Sequence, residues 1–208
     1  QPEEGNLLWA ATFIGTRTEA PMNVPSSGSW LEQTDQSNAY AYGAKQLKFL
    51  QWQRPVKRWI LKTPHHMECL VLVKKHYVKV HYIWTHRNIA ESLPSFLSMV
   101  AHSQTIFSDQ VSLERVAKHW VRKTGFMLSK GIQFRNDNPQ EKYTDVQYQK
   151  LISTPMSALE DIYRFGEPIH EKLLAKFNET EQQNKQYRYG KHTYKLEDFG
   201  IWQENINE

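Results

Sequence analysis

An α/β fold built on a parallel sheet is the architecture this sequence predicts. Short β-branched or aromatic runs alternate with helical stretches through the middle of the chain, the pattern of strand–helix–strand units. The run Arg58-Trp59-Ile60-Leu61-Lys62 is short, apolar and bounded by Pro55 and Pro64, which reads as a buried strand. The stretch 112–131 repeats Leu113, Val116, Trp120 and Met127 at a helical period, with Arg and Lys on other faces.

Residues 1–45 are rich in Gly, Pro, Ser, Thr and Asn and are expected to be irregular, with two or three short helices. Pro21 to Ser29 reads as loop. Leu7, Leu8, Trp9, Phe13 and Ile14 suit a capping helix. A helix is expected from Asn38 to Gln53, with Tyr42, Leu47, Phe49 and Leu50 on its apolar face and Pro55 stopping it. The first strand follows near 57–62, then a helix from His65 to Tyr77. A second strand lies near 80–85, where Val80, Tyr82, Ile83 and Trp84 favour extended backbone. Ile89 to His102 is helical with Pro94 near its first turns. Asn136 to Pro139 is a turn, and 143–148 is the third strand. Thr154-Pro155 opens a helix that ends near Gly166, and Pro168 opens another that runs to Thr180. One domain, 1–208, is expected, with a helical and irregular region over 1–55 and an α/β core over 56–200.

Composition narrows the class. The chain has 208 residues, of which 39% are hydrophobic, 12% aromatic and 23% charged, as in a globular protein. A single cysteine, Cys69, excludes an internal disulfide framework and a cysteine-only metal cage. No apolar run approaches the span of a bilayer, and no secretory leader pattern is visible, so a cytoplasmic location is expected. The chain opens at Gln1 rather than Met, which leaves room for a preceding segment. The net charge of +4 is compatible with an anionic ligand. No nucleic-acid motif accompanies it, so nucleic acid is not an expected partner.

Ligands of open α/β sheets bind beyond the carboxyl ends of the strands. The first strand candidate ends in Lys62-Thr63-Pro64-His65-His66, and the second in Thr85-His86-Arg87-Asn88. A basic residue at each end, with a helix start behind it, is the make-up of an anion cradle. His65 and His66 are not read as metal ligands: adjacent histidines diverge, and no further ligand sits at suitable spacing.

With these segments the sequence resembles the sulfotransferases that use 3'-phosphoadenosine 5'-phosphosulfate (PAPS), in particular the bacterial-type family related to tyrosylprotein sulfotransferases. Trp59 to His66 resembles the family's Lys-Ser/Thr-Pro-x-His strand end. Tyr82 to Asn88 resembles its Arg-Asp/Asn-Pro strand end. Ser95 lies eight positions after Arg87, and Lys62 lies 25 before it, as the family pattern has them. Asp145 to Leu151 resembles the family's Asp-Val-x-Tyr-x-x-Leu segment. Ile162 to Gly166, Gly190 to Tyr194 and Leu196 to Gly200 resemble its closing segments, so the likeness runs from about Asn6 to Gly200. Ile89 replaces the usual Pro, and Thr154 replaces the usual Asp before Pro155. The family's opening strand and phosphate loop, of Arg/Lys-Ser/Thr-Gly-Thr-Thr type, has no counterpart here; Gly15 to Thr18 is only a faint echo.

The resemblance implies a P-loop-NTPase-like three-layer sandwich lacking its N-terminal strand and phosphate loop. It implies transfer of a sulfuryl group from PAPS to an acceptor hydroxyl or amine, with PAPS as co-substrate and no metal. A catalytically silent nucleotide-binding partner is the alternative, and a segment or second chain would complete the sheet. By resemblance Lys62 offsets charge on the leaving group; otherwise it is a surface lysine. Arg87 and Ser95 hold the nucleotide 3'-phosphate; otherwise Arg87 pairs with Glu91 and Ser95 lies idle on its helix. His65 is a candidate base or else a packing ring, with Glu3 or Glu4 as the carboxylate alternative. Tyr148 lines the adenine pocket or else the core. By resemblance Lys191, His192 and Tyr194 belong to a segment that folds back over the nucleotide, where backbone amides or Lys191 touch phosphate.

Overall fold

The computed structural model describes residues 9, 11–16, 18–55, 58–164, 169–183 and 195–202. Among the described residues the first elements with a stated range are α1 (Glu19–Met22), α2 (Pro25–Gln33) and α3 (Ser37–Gln51). A 3-10 turn (Pro64–Glu68) leads into α4 (Leu70–His76), then β1 (His81–His86), α5 (Ile89–Gln104) and α6 (Leu113–Asp137). β2 (Lys142–Gln147), α7 (Tyr148–Ser153), α8 (Pro155–Tyr163) and α9 (Glu171–Gln183) follow, and a 3-10 turn at Glu197–Phe199 comes last. The protein is mostly helical, and among the described residues its sheet has two strands.

β1 and β2 pair in parallel, from His81 opposite Lys142 to His86 opposite Gln147. A parallel pair needs a long return connection, and α5 and α6 supply it. Each begins on a polar cap: Asn88 Oδ1 accepts the Ala90 amide at 2.9 Å, and Ser112 Oγ accepts the Arg115 amide at 3.3 Å. Leu93, Leu97 and Val100 of α5 pack on Val116, Ala117 and Trp120 of α6, with Phe199 and Ile201 closing this core. A second core gathers Trp9, Tyr40, Leu70, Val73, Tyr82 and Phe134. Gly131 of α6 lets β1 approach closely, since a Cβ there would lie 3.1 Å from the Trp84 ring.

The expected strand over 57–62 is corrected. Residues 58–63 run without strand pairing, and Trp59 and Ile60 are 43% and 75% exposed rather than buried. A strand exists only through the ladder it shares, and no neighbour shares one with this run among the described residues. The expected three-layer sandwich is correspondingly reduced to the parallel pair with its helices. The Pro21–Ser29 loop is also corrected: Pro25 sits at a helix start, where its missing N–H costs nothing, and α2 forms. The single helix expected over His65–Tyr77 is broken at Cys69 into a 3-10 turn and α4. Tyr148 begins a helix instead of ending a strand. Pro168 lies outside the described residues.

One charged cluster joins the N-terminal helices to α6. The Lys123 side chain, 1% exposed, places Nζ 2.9 Å from Glu68, 3.1 Å from Glu32 and 3.9 Å from Glu19. His119 Nε2 meets Glu19 Oε1 at 2.8 Å, and Arg122 forks onto both oxygens of Glu32 at 2.8 and 3.0 Å. Burial works against the Lys123 ammonium, but its bond to Glu68 and the fields of Glu68 and Glu19 outweigh that and raise its pKa. Burial pushes the Glu68 carboxyl upward, and Lys123 pulls it back in part. Gly28 makes room for this cluster: a Cβ there would lie 2.1 Å from Glu19 Oε1.

Beside the cluster lies His65, 2% exposed, with Nε2 2.6 Å from Gln36 Oε1. Burial is the main cause that lowers its pKa to about 4, with repulsion from His66 and Lys123 adding to it. His66 is lowered to about 4 by burial alone, and its Nδ1 meets the Tyr40 hydroxyl at 3.0 Å.

Two outcomes are expected. Lys123→Ala leaves three carboxylates without their buried cation and should lower unfolding free energy by about 3–5 kcal/mol. Urea unfolding measures this, and a loss below about 1 kcal/mol would show that water replaces the ammonium. The two histidines bind protons more weakly when folded than when unfolded. Their stability contribution is therefore complete above pH 6.5 and falls as the pH drops from 6.5 towards 4. His65→Gln should flatten that decline between pH 7 and pH 5; parallel pH profiles for the two proteins would refute it.

Candidate functional site

In-register parallel pairing delivers the residue after each strand to the same edge of the sheet. His86 is opposite Gln147, so Arg87 and Tyr148 emerge side by side there. The Arg87 guanidinium carbon lies 4.3 Å from the centre of the Tyr148 ring, a cation–π stack. Arg87 Nε is 3.9 Å from Glu91 Oε2, one turn into α5. This is the loose edge of ion-pair distance, and both side chains are well exposed. A pocket of about 310 Å³ opens at this point, lined by Arg87, Asn88, Glu91, Gln147 and Tyr148 among others. The first turn of α5 borders it, and the amide of Ala90 is already taken by the Asn88 cap. The arrangement offers a fork of donors, seated over an aromatic face, to a planar or tetrahedral anion.

Of the residues singled out from the sequence, Arg87 and Tyr148 are brought together. Ser95 lies on α5 one turn past Glu91 on the same face, half-buried, and does not line the pocket. Lys62 is exposed in the run 58–63, also outside the pocket lining. Thr63 Oγ1 accepts the His65 amide at 3.3 Å, and this turn starts the 3-10 segment behind Lys62. His65 faces the interior, bonded to Gln36 and closed off from solvent. Lys191, His192 and Tyr194 lie outside the described residues.

Sequence reasoning missed a group that reaches the pocket through His86, one of its lining residues. Arg135 Nη1 and Nη2 meet Asp145 Oδ1 and Oδ2, each at 2.6 Å, and His86 Nε2 meets Asp145 Oδ1 at 2.6 Å. The Arg135 guanidinium first, and His86 after it, holds the Asp145 carboxyl far below the usual carboxylate range. One signal was available: aspartate is depleted in strands, so Asp145 between Thr144 and Val146 needs a partner. That the partner is Arg135, ten residues earlier on α6, depends on how α6 crosses the sheet.

Comparison with known proteins agrees with the fold and the motifs. Two crystal structures are similar over essentially the whole chain. One is sulfotransferase STF1 from Mycobacterium tuberculosis H37Rv, with a TM-score of 0.86, 24% identity, and coverage of 100% of this chain and 54% of that one. The other is sulfotransferase STF9 from Mycobacterium avium, with a TM-score of 0.89, 20% identity, and coverage of 99% and 53%. The chain thus spans about half the length of the solved structures it matches. No curated protein matches it. The model of the sulfotransferase family matches residues 3–171, most of the sequence. With the strand-end motifs, the parallel pair and that match in agreement, the chain belongs to the sulfotransferase family.

Proposed function

We propose that this chain carries the nucleotide side of a PAPS-dependent sulfotransferase, which moves a sulfuryl group to an acceptor hydroxyl or amine. The observation that carries the reading is the Arg87–Tyr148 stack at the carboxyl edge of the parallel pair. In this reading Arg87 donates to the 3'-phosphate, with Ser95 as a second donor further along α5. Tyr148 supports the guanidinium and borders the adenine. The Glu91 carboxylate competes with the phosphate for Arg87, which favours a dianionic group over a monoanion.

Sulfuryl transfer needs in-line geometry, charge stabilisation at the leaving oxygen and a base for the acceptor proton. Lys62 is proposed for the leaving oxygen. It precedes extended Thr63 and a Pro-initiated turn, so its backbone is anchored on one side. His65 does not offer the base in this arrangement, because a base must reach the acceptor proton and this ring is enclosed. The 5'-phosphosulfate requires a phosphate loop of a kind the sequence does not contain. In this proposal it comes from a further segment or second chain, for which exposed Trp59, Ile60 and Ile83 offer apolar surface. No helix among the described residues is long and apolar enough to cross a membrane.

Calorimetry with adenosine 3',5'-bisphosphate and adenosine 5'-monophosphate tests the nucleotide reading. Arg87→Ala should weaken the bisphosphate by about 1.5–3 kcal/mol, the worth of a charge-assisted contact, and leave the monophosphate nearly unchanged. Equal losses for both nucleotides would make Arg87 structural. In an active enzyme assembled with a phosphate loop, Lys62→Ala should reduce turnover about a hundredfold or more, with a much smaller change in nucleotide affinity. Near-normal turnover would remove Lys62 from the chemistry.

A further inference from the structure

We propose that Asp145, gripped by Arg135 and joined to His86, is a positioning residue that holds Arg87 and Tyr148 in register for the nucleotide. The inference rests on the nucleotide reading of Arg87 given above. Asp145 does not line the pocket, so it acts through its neighbours. His86 immediately precedes Arg87 on β1, and Asp145 lies three residues before Tyr148 on β2. Asp145 faces Trp84 across the pair, and the bond to His86 is therefore a diagonal cross-strand link.

Two 2.6 Å bonds from Arg135 fix both carboxylate oxygens, so the carboxylate cannot rotate away from His86. The same guanidinium carbon lies 4.9 Å from the Tyr143 ring and 5.6 Å from the Trp84 ring, which seats it on both strands. Thus β1, β2 and α6 meet at one carboxylate, one residue short of Arg87. The side chains of Asp145, Arg135 and His86 are 40%, 35% and 39% exposed. Ion pairs this open contribute little to global stability. What the link constrains is the relative placement of two strand ends, and the 4.3 Å stack of Arg87 on Tyr148 is built on those ends.

The test compares the full chain with Asp145→Asn and Arg135→Lys. Calorimetry gives the affinity ratio of adenosine 3',5'-bisphosphate over adenosine 5'-monophosphate for each, and thermal unfolding gives Tm. Asp145→Asn keeps the shape but loses the charge that grips Arg135, and the ratio should fall about five- to tenfold, the scale of a lost coupling. Arg135→Lys keeps the charge but loses the fork, and the ratio should fall by less. A merely structural residue would lower Tm and leave the ratio intact. A folded Asp145→Asn with the wild-type ratio overturns the inference, and should it fail to fold, an unchanged ratio in Arg135→Lys does so. A wild-type chain with no preference between the nucleotides would overturn the nucleotide reading itself. A preference that survives both substitutions overturns only the positioning role.

Discussion

Parallel pairing of β1 with β2 obliges the chain between them to leave one end of the sheet and return to the other, and α5 with α6 makes that return. The candidate site depends on this constraint. Because the two strands run the same way and in register, their last residues lie on one edge, followed there by two helix starts. Arg87 then finds Tyr148 at 4.3 Å although 61 positions separate them in the chain. An antiparallel pair would send the two residues to opposite edges, and the same motifs would build nothing.

The helices that make the return connection also carry the charged interior. α6 contributes His119, Arg122 and Lys123 on successive turns and steps of one face, and the N-terminal helices answer with Glu19 and Glu32. Glu68 enters from the 3-10 turn behind Lys62, so the segment with the Lys-Thr-Pro motif is tied to α6 through Lys123. Such a cluster contributes less to stability than apolar packing of equal volume, since each ion loses its hydration. It does enforce a unique arrangement, because any shift of α1, α2 or the 3-10 turn strands a carboxylate in the interior. The motif ending in Lys62 thereby has a fixed inner side, while its outer side, Trp59 and Ile60, stays open.

The pocket is balanced rather than simply basic. Arg87 has an aromatic support on one side and a loosely placed carboxylate on the other. Arg135 is nearby but spends its fork on Asp145, so its charge is neutralised locally. The formal excess of four positive charges over the chain therefore says little about this site. What the pocket presents is one guanidinium, seated over Tyr148 and loosely paired with Glu91.

Local order was legible in the sequence wherever it depends on nearest neighbours. Helical periodicity placed α3, α5 and α6, Pro155 placed the start of α8, and β-branched and aromatic runs placed β1 and β2 to within about two residues. The strand-end motifs pointed to Arg87 and Tyr148 because those signals are short and sequential. The run 58–62 shows the limit: its composition is that of a strand, yet strand formation requires a partner ladder that composition does not supply. Pro21 to Ser29 shows another, since the same turn-forming residues begin a helix when Pro25 falls at the first position. His65 is a candidate base by family resemblance and an enclosed ring by packing, because the 3-10 turn rotates it towards Gln36. The links among Asp145, His86 and Arg135, and among Lys123 and its three carboxylates, span 10 to 104 residues. Which residue types stand at each strand end and along each helix face can be read from the sequence. Which of them meet follows from the fold, because a contact between distant segments is set by the crossing of whole helices over the parallel pair.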